Sequence, residues 1–471
     1  MRFGSADSER VQGARRPARV VVALGRWRSW RLVAAATIAA VAIAAGTAGI
    51  EPTAGAASAR ASDYRLAAGV PVPAAGAERF LDSVGVVTHL AYFDTTYARW
   101  AELVERLREL GVRHLRDEAY ANPSPSWDGW NARYRTAVAR ARRAGMRFLF
   151  ILGKPGMNPG GGARQLIAAV AGPLRAATEA VEAPNELDHF DGTRGWQDRL
   201  YRYTLELARR KRAHSALARV PLVGPSFARW ESPSTVGALS RHVDICNIHP
   251  YPGGRVPTPA RIALEIARMR PVCGGVRRVW ATEAGYHNAL AARGESQPPV
   301  SEEQAAAFLP ALLLEHFRSG IERTYIYELV DQLPDPGRRD PELHYGLLRS
   351  DLSRKPAFVA VRNLLRTVAR AARARSLPVR KAAIRADPGV RALLIVPRGR
   401  GRSLLALWRS APYDPRAVST VTVQLQGASG TASVVDPRES TTGRPVATRD
   451  GRLVVEVGDH PLLVVAPGAG G

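Results

Sequence analysis

Apolar runs of strand length alternate with stretches of helical period between about residues 83 and 375. Short continuous apolar runs are typical of buried parallel strands, whereas apolar spacings of three and four residues are typical of helices. The predicted strands are 83–89, 112–117, 147–152, 178–186, 220–226, 243–249, 278–283 and 323–328. The predicted helices lie near 95–110, 130–144, 161–177, 195–215, 234–241, 257–269, 301–319 and 356–374, the fifth being the least convincing because it is short. Eight such units predict a (β/α)₈ barrel.

The period changes after residue 375, where short β-like runs follow one another without helices. The clearest runs are 393–396, 404–408, 418–425, 432–435, 453–457 and 462–465. This spacing predicts a small antiparallel β-sandwich. The chain is therefore divided into a signal peptide or N-terminal anchor (1–59), a linker or extra sandwich strand (60–80), a catalytic barrel (81–375) and a β-sandwich domain (376–471).

The N-terminus has the order of a secretory signal. Arginines precede an uncharged stretch from Leu32 to Ile50, and Ala57-Ser58-Ala59 follows as a small-residue cleavage site. The apolar stretch is also about long enough to span a bilayer, so an uncleaved membrane anchor remains the alternative. Both interpretations predict a secreted or extracytoplasmic protein.

The chain is strongly basic, with a formal net charge of +25. Such a charge favours association with anionic cell-wall polymers, acidic glycans or nucleic acid. The basic residues are nearly all arginines spread along predicted helices, where solvated faces are the usual interpretation. We therefore expect no nucleic-acid partner and leave association with an anionic cell wall open.

The sequence contains no convincing cofactor or metal motif. It has two cysteines, Cys246 and Cys273, which are too few for a cysteine zinc site. They either form a disulfide or leave Cys246 as a small buried hydrophobe in an apolar strand. There is no phosphate-binding loop and no G-x-S-x-G elbow, so we predict neither cofactor nor metal.

Two glutamates close predicted strands, Glu186 the fourth and Glu283 the seventh. Strand ends of a parallel barrel converge on one face, so these carboxylates are expected to meet across one pocket. A single glutamate at such a position is more often the ion-pair partner of an arginine. Two together provide the minimal machinery for cutting a glycosidic bond, in which one carboxyl supplies a proton and the other stays ionised.

Four features, each on the expected strand, resemble the clan A retaining glycoside hydrolases. These are (β/α)₈ enzymes that often carry a C-terminal β-sandwich. The four features are Asn185-Glu186 on the fourth strand, Glu283 on the seventh, His249-Pro250-Tyr251 after the sixth and Arg116 on the second. The resemblance covers roughly residues 80 to 375. Glu328 closes the eighth strand, where the clan more often has an aromatic, so the floor of the sugar subsite stays unassigned.

The resemblance implies a role for each matching residue. Glu186 would be the acid/base and Glu283 the nucleophile. Arg116 and Tyr251 would contact the nucleophile, and Asn185 would bind the sugar 2-hydroxyl. His249 is placed with them as a substrate-binding residue.

Two further residues are candidates for contacts with the sugar. His89 ends the first strand, where a structural role is equally well supported. Trp127 follows a Pro-rich stretch on the active face and has the flat surface on which sugar rings stack. Asp117 and Glu118, at the end of the second strand, are weaker candidates for hydroxyl ligands.

These features together predict a secreted retaining glycoside hydrolase acting on an oligosaccharide, polysaccharide or glycoside. The two carboxyl groups should then lie about 5–5.5 Å apart. The alternatives are a non-catalytic carbohydrate-binding or cell-wall-associated protein on the same scaffold, and a transglycosylase. The sugar, the linkage and the choice between endo and exo cleavage depend on loop shapes that the pattern does not encode.

Overall fold

The computed structural model describes residues 69–153, 159–191, 193–294 and 296–468. The predicted signal or anchor, residues 1–59, lies outside the described residues. Within them, no helix is both long enough and apolar enough to cross a membrane.

Eight parallel strands form a nearly closed barrel. Two short strands come before it, β1 (Val70–Pro71) and β2 (Ala74–Gly76). The barrel strands are β3 (Val84–Val87), β4 (His114–Glu118), β5 (Arg147–Ile151), β6 (Thr178–Glu182), β7 (Leu222–Val223), β8 (Cys246–Ile248), β9 (Val279–Ala284) and β10 (Arg323–Ile326). They pair in the order β7-β6-β5-β4-β3-β10-β9-β8, and an isolated parallel bridge from Val223 to Ile245 links the two ends. All eight predicted strands are confirmed.

A helix follows each barrel strand as predicted, and the described residues contain three further short α-helices, the first of which precedes the barrel. The α-helices are α1 (Ala77–Asp82), α2 (Trp100–Leu110), α3 (Asp128–Arg143), α4 (Pro159–Ala171), α5 (Leu187–Phe190), α6 (Trp196–Ala213), α7 (Pro233–Val236), α8 (Pro259–Arg268), α9 (Arg270–Cys273), α10 (Glu302–Arg318) and α11 (Pro356–Ala372). The fifth predicted helix is only the single turn α7. It ends there because Gly237 takes a φ of 97°, a conformation that glycine adopts readily.

The amino ends of the barrel strands are closed by charged side chains. His114 lies between Asp82 and Glu179, with ring nitrogens 2.8 Å from each carboxylate, and Arg323 bonds the same two acids. Above this layer, buried Leu149, Trp280, Tyr325 and other side chains fill the barrel. The carboxyl ends of the strands are therefore the face on which a functional site is expected.

The C-terminal region forms two packed β-sheets. Its strands are β11 (Ala382–Arg385), β12 (Val390–Val396), β13 (Leu404–Arg409), β14 (Ser419–Leu425), β15 (Thr431–Val435), β16 (Arg444–Ala447), β17 (Arg452–Val457) and β18 (Leu462–Val465). The sheet orders are β1-β11-β14-β17 and β16-β15-β18-β13-β12-β2, so the two strands before the barrel join these sheets. The sequence missed β11 and β16. The edge strand β16 contains a proline and lacks apolar alternation, as edge strands commonly do.

The sandwich shares part of its core with the barrel. Trp408 of β13 is fully buried, and its indole nitrogen donates to Glu315 of α10 at 2.9 Å. Leu404 and Leu463 pack in the same hydrophobic cluster as the barrel helices. Helix α10 therefore contacts the sandwich as well as the rest of the barrel.

Cys246 of β8 and Cys273 of α9 form a disulfide, which the sequence left open. Their Cα atoms lie 5.7 Å apart, within the usual range for a disulfide.

Candidate active site

Glu186 and Glu283 meet at the carboxyl face of the barrel. Glu186 follows β6, and Glu283 lies near the end of β9. A carboxylate oxygen of each and a ring nitrogen of His249 all lie within 4.8 Å of one another. The structure thus brings together the two acids that the sequence singled out.

Glu283 is buried and held on both carboxylate oxygens. Arg116 donates to Oε1 at 2.5 Å, and the Tyr251 hydroxyl donates to Oε2 at 2.8 Å. Burial alone would raise the pKa of Glu283. The positive charges of His249 and Arg116 outweigh burial and hold this pKa below its ordinary value. Glu283 is therefore kept as a carboxylate.

Arg116 is itself fixed by a second acid inside the barrel. Its Nε and Nη2 atoms donate to the two oxygens of Glu182 at 2.8 and 2.7 Å. Glu182 is fully buried, and Asn247 also donates to it at 3.1 Å. This two-pronged ion pair fixes the plane of the guanidinium, so that Nη1 points at Glu283. Glu182 thus has a structural position inside the barrel.

Glu186 is presented by an unusual backbone conformation. Its φ of 42° and ψ of 46° lie in the left-handed region, which costs a non-glycine residue about 1–2 kcal/mol. The turn places its side chain beside His249, whose Nδ1 atom lies 2.6 Å from Oε1. The side chain of Glu186 is 16% exposed, against 9% for Glu283, so Glu186 is the more accessible of the two to solvent.

The neighbours of His249 decide which ring nitrogen carries a hydrogen. Asn247 uses its amide hydrogens on Glu182 and on the carbonyl of Gly224, so its Oδ1 accepts from the Thr282 hydroxyl at 2.7 Å. The Thr282 oxygen must then accept from Nε2 of His249, which lies 3.0 Å away. The other nitrogen, Nδ1, therefore shares one proton with Glu186. Burial opposes a charged ring, but Glu283 and Glu186 outweigh it and raise the pKa of His249.

Asn185 is oriented by its carbonyl oxygen. This oxygen accepts from Arg116 at 2.7 Å and from the Ser226 hydroxyl at 2.9 Å. The amide NH₂ of Asn185 has no hydrogen-bond partner within the described ranges, and the residue is half-buried. A free donor thus remains beside the carboxylates, where the 2-hydroxyl of a sugar would need one.

His89 and Trp127 lie in aromatic surroundings. His89 stacks on Tyr92 with a centroid distance of 4.7 Å, and its Nε2 lies 3.5 Å from Glu328. Trp127 is half-buried and packs edge-to-face on Trp130 at 5.6 Å. The contacts of both residues with a sugar remain predictions.

Three other acids close strands near the site, and two of them, Asp117 and Glu328, are buried. Asp117 is 1% exposed and accepts hydrogen bonds from Thr88 and from the backbone of Leu90, and burial raises its pKa. Glu118 lies 3.4 Å from the Tyr92 hydroxyl. Glu328 is fully buried and bonded to Tyr97 at 2.9 Å.

Three residues of the site were missed by the sequence analysis. The rings of Tyr327 and Tyr345 lie 6.4 and 5.8 Å from that of Tyr251, so the three tyrosines form one wall. The Tyr327 hydroxyl donates to Glu342 at 3.1 Å. Burial, with the nearby negative charge of Glu283, raises the pKa of Glu342 to about 7. Tyr345 and Glu342 lie in the long connection between β10 and α11. The apolar residues of this connection have no regular spacing, so the sequence does not predict its path.

The donor atoms of Glu186, His249 and Glu283 are close enough to hold a metal ion. Both oxygens of Glu283 already accept hydrogen bonds, and Nδ1 of His249 is bonded to Glu186. A cation here would also be repelled by the buried guanidinium of Arg116. The donor set suits proton transfer better than metal binding.

Solved structures with the same fold are glycoside hydrolases. A family 39 glycoside hydrolase from Bacteroides cellulosilyticus WH2 is 16% identical with a TM-score of 0.56, over 83% of this chain and 81% of that one. A GH39 enzyme from Xanthomonas axonopodis pv. citri is 15% identical with a TM-score of 0.53, over 87% and 99%. A monomeric β-xylosidase from Caulobacter crescentus CB15 is 16% identical with a TM-score of 0.53, over 86% and 98%.

The fold is that of the clan A glycoside hydrolases. This likeness confirms the predicted fold. No protein-family model and no curated protein matches the sequence. At identities of 15–16%, this likeness shows the fold alone.

Proposed function

We propose that this protein is a retaining glycoside hydrolase in which Glu283 is the nucleophile and Glu186 the acid/base. The observation that carries the proposal is that one carboxylate oxygen of Glu186 lies within 4.8 Å of one carboxylate oxygen of Glu283. Retaining enzymes hold these groups about 5–5.5 Å apart, whereas inverting enzymes need about 6.5–9.5 Å to admit a water molecule. The intact geometry also argues against a purely carbohydrate-binding role.

In the first step, the Glu283 carboxylate attacks the anomeric carbon and forms an ester bond. The bond to the glycosidic oxygen breaks, and Glu186 transfers its proton to that oxygen, which leaves as an alcohol. Arg116 and Tyr251 hold both oxygens of Glu283 and orient the attack. The free amide of Asn185 donates to the sugar 2-hydroxyl, an interaction that strengthens as charge develops at the neighbouring carbon.

In the second step, Glu186 is a carboxylate and acts as the base. It takes a proton from water, the water oxygen bonds to the anomeric carbon, and the ester bond to Glu283 breaks. Glu283 is released as a carboxylate and Glu186 is again protonated. Nδ1 of His249 lies 2.6 Å from Oε1 of Glu186 and orients this carboxyl group while the shared proton lies between them.

The substrate is a glycan or glycoside, and we place the enzyme outside the cytoplasm on the strength of the N-terminal signal or anchor pattern. One of the similar structures is a β-xylosidase, which makes aryl β-xylosides the first substrates to try. The wall formed by Tyr251, Tyr327 and Tyr345 provides apolar surface against which a sugar ring can pack.

The proposal is tested with a panel of aryl β-glycosides and polysaccharides, followed by proton NMR of the first product. The anomer formed initially should have the configuration of the substrate. Initial formation of the opposite anomer would overturn the retaining mechanism. Absence of turnover across the panel, with sugar binding retained, would favour the non-catalytic alternative.

A further inference from the structure

A cavity of about 360 Å³ lies between the end of α11 and the β-sandwich, remote from the carboxylates. Arg370 and Arg375 border it on the side of α11, and Arg402 borders it from the turn before β13. Hydroxyl groups of residues such as Thr441 and Thr442 complete the lining. Among the described residues that line the cavity, none is acidic and none is aromatic.

The three arginines at this cavity form no ion pair with any residue in the described part of the chain. Arginines elsewhere on the same helix behave differently, since Arg362 bonds Glu109 at 2.8 Å. Three guanidinium groups around one space repel one another unless an anion lies between them. All three are exposed, so an anion from solution can reach them.

A buried hydroxyl at the same cavity also lacks a partner. Thr367 of α11 is 3% exposed, and its Oγ1 forms no hydrogen bond within the described residues. A helical threonine normally bonds to the carbonyl four residues earlier. Buried polar atoms without partners are uncommon because they lose the hydrogen bonds of water. A ligand oxygen in the cavity would satisfy this one.

The cavity lies at the end of α11 away from the catalytic face. The helix begins beside Lys355, which bonds the backbone of His344 in the loop that carries Glu342. The helix is 17 residues or ~25 Å long, and its residues that border the cavity lie in its last two turns. A group bound there is not the sugar that Glu186 and Glu283 would cleave.

We propose that this cavity binds an anionic group, a carboxylate or a sulfate ester, carried by an acidic polysaccharide. Guanidinium groups bind such oxygens in pairs of parallel hydrogen bonds, and the surrounding hydroxyls match those of a sugar. The lining has no aromatic side chain on which a nucleic-acid base would stack. The site would hold the enzyme on an acidic polymer while Glu186 and Glu283, on the opposite face, cleave the substrate. Binding at the cavity does not depend on catalysis.

The test is isothermal titration of the full chain with polygalacturonate, dextran sulfate, uncharged dextran and duplex DNA. We expect binding to at least one of the two acidic polysaccharides and none to uncharged dextran. The two arms separate carboxylate from sulfate ester recognition. Failure of both acidic polymers to bind, or tighter binding of DNA than of either, would overturn the proposal.

Matched variants locate the binding. Replacing Arg370, Arg375 and Arg402 by Gln should weaken binding at least about tenfold, the value of one strong hydrogen bond. The control replaces Arg135, Arg143 and Arg209, which are exposed on α3 and α6, and should weaken it less than about twofold. Equal loss in both triple variants would show that net charge alone is responsible and would overturn the site.

A single substitution that changes neither the net charge nor the fold provides a further test. Thr367→Val removes the buried hydroxyl while preserving its shape, so the melting temperature should not fall. Binding should weaken about threefold or more if Oγ1 contacts the anion. Unchanged affinity in Thr367→Val would contradict that contact.

Discussion

The Nδ1 atom of His249 lies 2.6 Å from Oε1 of Glu186, and the other ring nitrogen already donates to Thr282. One proton is therefore shared between the imidazole and the carboxyl group that would protonate the leaving oxygen. His249 is a positioning residue in this account, because it acts through Glu186.

Replacing His249 by Asn should lower kcat by about 10²-fold for aryl glycosides with poor leaving groups. This is the lower end of the rate loss expected when general acid catalysis is impaired. Glycosides with a 2,4-dinitrophenyl leaving group need little protonation and should lose much less. Thr282→Ser keeps the hydroxyl and serves as the control. Equal losses for both leaving groups would place His249 with Glu283 and contradict this account.

Replacing Glu283 by Ala should reduce hydrolysis by on the order of 10⁴-fold or more, because the bond-forming group is gone. The protein should stay folded, since Arg116 keeps its two hydrogen bonds to Glu182. Added azide should then convert an activated β-glycoside into the α-glycosyl azide, detectable by NMR.

Glu328→Gln is the matched control for the loss of a carboxylate at the end of a strand. Burial raises the pKa of Glu328, so the neutral amide resembles the acid that is already there. Activity should stay within a few-fold of the unaltered protein. Loss of activity in Glu328→Gln together with ordinary activity in Glu283→Ala would reverse the assignment of the nucleophile.

Glu342 should make the stability of the protein depend on pH. Its folded pKa of about 7 lies above the ordinary value of 4.5, so the folded state binds more protons than the unfolded state between these values. The stabilisation is fully present below about pH 4.5 and is lost as the pH rises to about 7. Glu342→Gln should therefore gain melting temperature relative to the unaltered protein between pH 5 and pH 8. The exposed Glu303→Gln is the control, and a constant difference across this range would refute the prediction.

Trp408 should couple the sandwich to the barrel. Trp408→Ala removes a fully buried ring and the hydrogen bond to Glu315, so unfolding should become easier by about 3–5 kcal/mol. Activity per folded molecule should not change, because the catalytic residues come from the barrel. Denaturant titration measures the first effect and aryl glycoside assays the second. A folded but inactive variant would show that the sandwich takes part in the active site.

The barrel could be predicted because its strands are short continuous apolar runs and its helices have apolar residues three and four positions apart. Glu186 and Glu283 could be placed because strand ends of a parallel barrel must converge. Glu342 and Tyr345 lie in the connection between β10 and α11, where the chain path depends on tertiary contacts such as those of Lys355 with Asp331. Cys246 stayed ambiguous because an apolar strand accommodates a free thiol as readily as half of a disulfide.

The most direct test of the central claim is covalent trapping of the nucleophile. A panel of 2-deoxy-2-fluoro glycosides with activated leaving groups slows the second step more than the first, so the sugar ester should accumulate. Peptide mass spectrometry should then find one sugar per chain, attached to Glu283, and no label in Glu283→Ala. A label on any other residue, or turnover of the fluorosugars with inversion, would contradict the account.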